Sequence, residues 1–370
     1  MDVNEFRRNA ADMIYLTACA INGRIPDKER TASLDLPELF EVCQAHILTA
    51  CTAYALAAAG IKDDSFTQAK EKAVRKNILL DAERKKIVRR LEAEGIWYMP
   101  LKGALLKDWY PKLGMRQMSD NDMLIAPEGR ETARSIMKEL GFTLKWEKEN
   151  VDEYIKEPVY NFELHESFFP DMDKYSGKGF TDYYRNVKER LVSEDGNGLS
   201  LRFTNEDFYI YMIVHEYKHY HDGGTGVRSL LDVYVFMRRF GGELDRSYLD
   251  REFSKLGIAD FERENRRLAE KVFGMEKLSA EDEKQLDYYV TSGVYGNVEN
   301  YVRNRMNGQG SRLRYIMQRI FLPMEQIRSG YPFFYRHKLL IPLLWIRRIF
   351  RVLFRAPKRL AAELKAIFKK

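Results

Sequence analysis

Apolar positions recur at helical spacing through the first 95 residues. Phe40, Cys43, Ile47, Cys51 and Leu56 line up on one helical face, with alanines filling between them. A second, highly charged stretch runs from about Phe66 to Glu94, with Ile78, Leu79, Ile87 and Leu91 as its stripe. Gly95 stands where a helix C′ glycine is expected. The pattern then shortens. Ile96 to Leu101 is apolar and aromatic, bounded by Gly95 and Gly103, and predicts a buried strand. Ala104 to Tyr110 predicts a short helix and Met118 to Ala126 a second strand. Pro127-Glu128 opens a helix that Gly141 closes, and strands follow at Phe142 to Glu147 and at Tyr160 to His165. Strands and helices alternating through short connections make an α/β unit. The helical period returns at Thr204-Asn205-Glu206-Asp207, breaks at Gly223-Gly224 and resumes from Val227 to Phe240. The expected fold class is therefore α/β (α+β), a small mixed-sheet module between extensive helical regions. Its expected divisions are an N-terminal helical region (1–95), the α/β module (96–200), a C-terminal helical region (201–327) and a basic tail (328–370).

Charge sharpens that division. The chain of 370 residues carries 61 Lys+Arg against 55 Asp+Glu, a net +6. From Arg328 to Lys370 there are twelve Lys/Arg and one acid, Glu363, a local +11. The remaining 49 bases and 54 acids leave the first 327 residues at −5. Three cysteines, Cys19, Cys43 and Cys51, lie in an apolar N-terminal stretch and read as free core thiols of a reducing compartment. The apolar run from Met13 to Ile21 is short and holds Thr17, unlike a secretory signal. Leu339 to Ile346 is far below the roughly 20 residues of a membrane span. A cytoplasmic protein is expected.

The chemistry concentrates in Gly114-Met115-Arg116-Gln117-Met118-Ser119-Asp120-Asn121-Asp122. Asp120 and Asp122 are two apart at a strand start, so alternation places both carboxylates on one face. Neighbouring acids repel unless a cation lies between them, and magnesium takes one or two carboxylates together with phosphate oxygens. Glu163 and His165 share a face of a later strand, and Glu163 can supply a third carboxylate to a two-metal site with ions roughly 3.5–4 Å apart. An isolated Asp-x-Asp also begins solvated strands and caps turns.

The order of Leu101-Lys102-Gly103, a short helix, Arg116, Asp120-Asn121-Asp122-Met123-Leu124 and Glu163-Leu164-His165 resembles the DNA polymerase β-like nucleotidyltransferase superfamily. More narrowly, it resembles a family of uncharacterised bacterial nucleotidyltransferases. The likeness continues through His215, Lys218, His219, Arg228 and Asp232 to Leu322-Pro323 and Tyr331-Pro332. The resemblance implies that Asp120 and Asp122 bind two magnesium ions, with Glu163 as the third carboxylate. It implies that Lys102, Gly103 and Arg116 meet the triphosphate. An NMP would pass from an NTP to an unidentified acceptor with release of pyrophosphate. His165, His215, His219, Arg228 and Asp232 would belong to the substrate pocket or its surroundings, or Arg228 and Asp232 would form an ion pair at i, i+4. The superfamily usually has Gly-Ser or Gly-Gly where this chain has Lys102-Gly103. Asn121 stands where an apolar side chain is expected and needs a polar partner. That departure motivates an alternative, a catalytically inactive nucleotide-binding or membrane-docked scaffold.

His215-Glu216-Tyr217-Lys218-His219 also matches the H-E-x-x-H of zinc hydrolases. The continuation argues against it: Asp222 and Thr225 stand where a metzincin needs Gly and His. The following helix holds only Asp232 as an acid.

In the tail, Ile346, Ile349, Phe350, Leu353 and Phe354 oppose Arg347, Arg348, Arg351 and Arg355 on a helix. Two readings stand. Residues 338–370 dock on an anionic membrane surface at the inner face, with Trp345 at the interface, or the apolar side packs on the protein itself. Nucleic acid is not expected as a partner, because stacking aromatics are not interleaved with the charge.

Overall fold

The computed structural model describes residues 2–148, 150–169, 179–194, 196–309, 312–322, 324, 327–328, 331–355 and 357–368. Pro323 and the side chains of Leu353 and Arg355 lie outside the described residues. The chain divides into two compact units: Met1–Lys218 with Gly226–Val290, and His219–Thr225 with Thr291–Lys370.

The first unit begins with five helices, α1 (Val3–Asn22), α2 (Lys28–Ala32), α3 (Leu36–His46), α4 (Thr49–Ala58) and α5 (Asp64–Ala93). Asp2, Asp27, Asp35 and Asp63 cap four of them through side-chain oxygens that accept backbone N–H groups. The expected single stripe from Phe40 to Leu56 is divided. Ile47 takes a left-handed conformation, ends α3, and leaves Leu48 to bond back to the Cys43 carbonyl. On α5 the buried face runs through Phe66, Asn77, Leu80, Glu83, Ile87 and Leu91, whereas Ile78 is exposed. Two polar residues occupy that face, Glu83 with its carboxylate paired and Asn77 with Nδ2 bonded but Oδ1 buried without a partner. Asn77 donates to the Arg116 carbonyl, and Glu83 accepts from Lys86 and Lys156. Gly95 adopts positive φ after the helix, as its position predicts. All three cysteines are buried free thiols.

The five-stranded mixed sheet contains β1 (Tyr98–Pro100), β2 (Asn121–Ile125), β3 (Thr143–Glu147), β4 (Val151–Lys156) and β5 (Tyr160–His165), in the order β1-β2-β5-β4-β3. Only β2 and β5 run parallel. The module is α+β, as expected. Between β1 and β2 lies α6 (Gly103–Leu106) with a 3₁₀ turn at Lys107–Trp109, and α7 (Arg130–Glu139) joins β2 to β3. Strand β4 is invisible to hydrophobic alternation because Asp152 sits at a buried position. Arg130 and Arg134 of α7 compensate it at 2.7 Å each. A second sheet pairs β6 (Leu191–Ser193) with β7 (Leu201–Phe203), which are too short for a pattern to reveal.

Thr204 accepts from the Asp207 N–H at the start of the helix Asn205–Asp222, and the helix Val227–Phe240 has the predicted bounds. These helices stack aromatic side chains: Tyr209 lies on Phe236 with ring centroids 5.2 Å apart. The second unit is helical, with Val298–Gln309, Arg312–Ile320, Pro332–Arg336, Ile341–Arg355 and Pro357–Phe368. Val302, Tyr315, Ala366 and Ile367 form one buried cluster, and Ile327, Ile341 and Leu344 another. Among the described residues no helix is long and apolar enough to cross a membrane.

Candidate active site

Parallel pairing of β2 with β5 sets Asp122 directly beside Glu163, and the two-residue period puts His165 on the same face. Among the described residues, ligand atoms of Asp122, Glu163 and His165 lie within 4.8 Å of one another. His165 Nε2 is 3.5 Å from Glu163 Oε2, and this imidazole is the first cause holding the Glu163 carboxyl below its ordinary range. Asp122 is in the opposite condition. Burial raises its carboxyl well above the usual range, and Asp120 and Glu163 raise it further. Its Oδ1 is buried without a hydrogen-bond partner. Asp120 precedes β2, near enough to act on Asp122, and the backbone beside it is tied down by Lys76, whose Nζ donates to the Ser119 carbonyl at 2.7 Å. A buried, unpartnered carboxylate oxygen between two other acids suits a hard divalent cation, and the donor set of carboxylates with one imidazole is compatible with it.

Asn121 points to the opposite face. It is fully buried, and its Oδ1 accepts from Arg84 of α5 at 3.4 Å. The expected polar partner is present for Oδ1, whereas Nδ2 is buried without a hydrogen-bond partner.

Cations surround the acids unequally. Arg116 is almost fully buried and its Nε and Nη2 donate to the two oxygens of Asp232 at 2.8 and 2.9 Å. Tyr110 donates to the same carboxylate at 2.7 Å. The expected pairing of Arg228 with Asp232 is corrected: Asp232 is bonded to Arg116, and Arg228 donates instead to the Gln117 carbonyl at 3.3 Å. Burial opposes ionisation of Asp232, but Arg116 overcomes it and holds the carboxyl below its ordinary value. Arg228 has no carboxylate within ion-pair distance among the described residues. Burial first, then the neighbouring Arg116, push its guanidinium below its ordinary value. Burial likewise pushes Lys102 down to about 8, with Arg116 and Arg228 adding to the effect. Lys102 Nζ lies 3.0 Å from His215 Nδ1, and its backbone has positive φ, a strained conformation for a side-chain-bearing residue. The site thus holds crowded acids beside two cations, Lys102 and Arg228, that have no carboxylate within ion-pair distance among the described residues, although Asp232 acts on both from farther away.

A family model described as an uncharacterised nucleotidyltransferase matches residues 32–274, about two thirds of the chain. The chain belongs to that family. Comparisons with curated proteins and with solved structures find no match. The matched span includes the whole nucleotidyltransferase sheet, the three acids, Lys102, Arg116, Arg228 and Asp232.

In this nucleotidyltransferase, Gly103 is required by a side chain more than by a helix dipole. Helix α6 has only four residues, and a Cβ at Gly103 would lie 2.9 Å from Arg116 Nη1 and 3.2 Å from the Met118 methyl. Arg116 cannot yield, because Asp232 holds it. Gly103→Ala is therefore expected to cost about 1–3 kcal/mol of stability, the scale of overpacking a close contact. Urea unfolding of the purified variant checks this, and an unchanged midpoint would refute it.

Among the described residues the H-E-x-x-H segment belongs to no cluster of potential metal ligands. Glu216 is buried, accepting from Asn265 at 2.9 Å and Tyr289 at 3.1 Å, and burial raises it to about 7. His215 faces Lys102, and His219 is exposed. The nearby residues that sequence reasoning missed are Tyr110, Gln117, Lys76 and Arg84. Gln117 Oε1 accepts from the Thr49 hydroxyl and the Ala50 N–H, anchoring the Arg116 to Asp122 segment on the first turn of α4. Their roles depend on contacts remote in sequence, and only the nearness of Gln117 to the Asp-x-Asp hinted at them.

Proposed function

We propose that the protein transfers a nucleoside monophosphate from an NTP to an acceptor oxygen, with magnesium held by Asp120, Asp122 and Glu163. The observation that carries this reading is the buried, unpartnered Asp122 Oδ1 between two further acids. Magnesium supplies neutralisation of the triphosphate and alignment of the attacking oxygen. Lys102 and Arg228, which have no carboxylate within ion-pair distance among the described residues, receive the phosphate oxygens. Arg116, already paired, acts as the strut that holds Lys102-Gly103 against the Asp232 helix. Glu163, kept ionised by His165, polarises the acceptor hydroxyl. The acceptor oxygen forms a bond to the α-phosphorus, the bond from that phosphorus to the bridging oxygen breaks, and pyrophosphate leaves. The acceptor proton passes to the carboxylates or to water. Catalysis then rests on positioning and charge stabilisation.

Because a ligating carboxylate must be ionised, and burial together with Asp120 and Glu163 disfavours the ionised form of Asp122, magnesium and protons should compete for it. Magnesium affinity is expected to rise with pH, and calorimetric titration in two buffers of different ionisation heat should reveal net proton release. Titration with each NTP in the presence of magnesium tests the reading as a whole. At least one NTP should bind, with affinity lost on Arg228→Ala. Absence of NTP binding would sink the proposal, and NTP binding with no acceptor-dependent pyrophosphate release would favour the inactive nucleotide-binding protein.

A further inference from the structure

The helix Ile341–Arg355 carries apolar side chains on two sides, and among the described residues one side is buried while the other is exposed. Ile341 and Leu344 are buried with Ile327, and Trp345 meets Phe321 edge-on with centroids 4.7 Å apart. Trp345 therefore points inward, which corrects its expected place at an interface. On the other side, Leu343, Ile346, Phe350 and Phe354 are exposed, at 56%, 51%, 54% and 77%. At 3.6 residues per turn these four positions fall within about 80° of arc. Leu339, in the turn that precedes the helix, is 95% exposed. Arg347 and Arg351 come next around the circumference, and both are exposed, as are Arg336 and Lys338 before the helix. On the following helix, Leu364 and Phe368 are exposed as well. A cavity of about 290 Å³ is lined by Tyr315, Ile320, Ile349, Leu360, Leu364 and Phe368 among others, so Leu364 and Phe368 are both exposed and at its wall.

We propose that this face is a docking surface for an anionic lipid bilayer. Leu343, Ile346, Phe350 and Phe354 enter the boundary between headgroups and acyl chains, while the flanking arginines and lysine meet the lipid phosphates. The charge pattern selects this occupant. Residues 338–370 carry ten Lys/Arg and one acid, so a second copy would bring two strongly basic surfaces together. A nucleic acid would use the charge but leave the aliphatic and phenyl arc in water. An anionic bilayer satisfies both features, as an amphipathic helix lying in the interface plane does. No crossing of the membrane is involved. The proposal stands independently of the nucleotidyl-transfer reading.

The test uses full-length protein and vesicles, because Ala366 and Ile367 belong to the core of this unit and a truncation would disturb it. Flotation with vesicles of phosphatidylcholine plus phosphatidylserine is expected to carry the protein upward, less so at high salt and hardly at all with phosphatidylcholine alone. Phe350→Ser with Phe354→Ser, and separately Arg347→Ala with Arg351→Ala, should each lower partitioning by about tenfold or more. All of these side chains are exposed, so folding is preserved, which circular dichroism verifies. Phe350→Trp should shift its fluorescence to the blue on addition of anionic vesicles. No flotation at low salt would overturn the proposal. So would flotation unaffected by the phenylalanine changes, which would mean charge-only adsorption, or RNA binding that survives those changes while vesicles fail to compete.

Discussion

Asp122→Asn is expected to reduce nucleotidyl transfer by roughly a thousandfold or more while making the metal-free protein more stable. The two effects share one cause. In the folded chain the Asp122 carboxyl is raised by burial and by the nearby Asp120 and Glu163, so its ionised form is disfavoured without a cation. An acid whose folded value is raised holds a proton that the unfolded chain has already released, so folding stability falls as pH rises above the ordinary aspartate range. An amide removes that penalty, so Asp122→Asn is expected to unfold at a higher urea concentration than the unsubstituted protein at neutral pH. The same amide cannot provide the negative ligand that magnesium needs, and losing a group that holds transition-state charge costs rate on the thousandfold scale. Urea unfolding in EDTA between pH 5 and 8, set beside pyrophosphate release in magnesium, measures both. A variant that keeps full activity, or that unfolds more easily across that pH range, would refute this account.

The second large effect concerns a residue that touches no proposed substrate. Asp232→Ala leaves the Arg116 guanidinium buried without its carboxylate and takes the acceptor from Tyr110. Breaking one side of a buried ion pair typically costs about 3–5 kcal/mol, because the remaining charge is uncompensated. A loss of that size is expected in denaturant titrations of Asp232→Ala. The double replacement Arg116→Met with Asp232→Leu should recover most of it, since apolar side chains can fill a buried pair's place. A cost below about 1 kcal/mol for Asp232→Ala would mean that the pair is not a structural strut. Recovered stability without recovered activity would show that the strut also holds Lys102 and Gly103 in their working positions.

Much of the first unit was legible because its signals are local. The strand bounded by Gly95 and Gly103, the cap at Thr204 and the helix from Val227 to Phe240 depend on neighbours within a few residues. The failures have a common form: a polar residue at a buried position hides the pattern. Asp152 masks β4, and Asn77 and Glu83 mask the true face of α5. Each is tolerated because a partner distant in sequence compensates it, and alternation carries no information about such partners. The stripe across Ile47 failed differently, since a left-handed residue can divide a sequence that is apolar throughout.

By itself, the sequence determined that a strand carries Asp122, because Met123 to Ala126 is a short apolar run, whereas the structure leaves Asp120 just before that strand. It also determined that the basic charge gathers at the tail, and it carried the family likeness in Leu101-Lys102-Gly103, Arg116 and the Asp-x-Asp. Glu163 was legible in the sequence as the third acid, and the tertiary structure supplied the parallel register that sets it against Asp122. It also decided which cation is spent. Asp232 could have paired with Arg228 one helical turn away, yet it reaches Arg116 across 116 residues of sequence. Among the described residues Arg228 is thereby left without a carboxylate within ion-pair distance. Burial explains why this choice lies beyond sequence spacing: a charge taken out of water must be compensated where it sits, and the fold decides which charges are buried together.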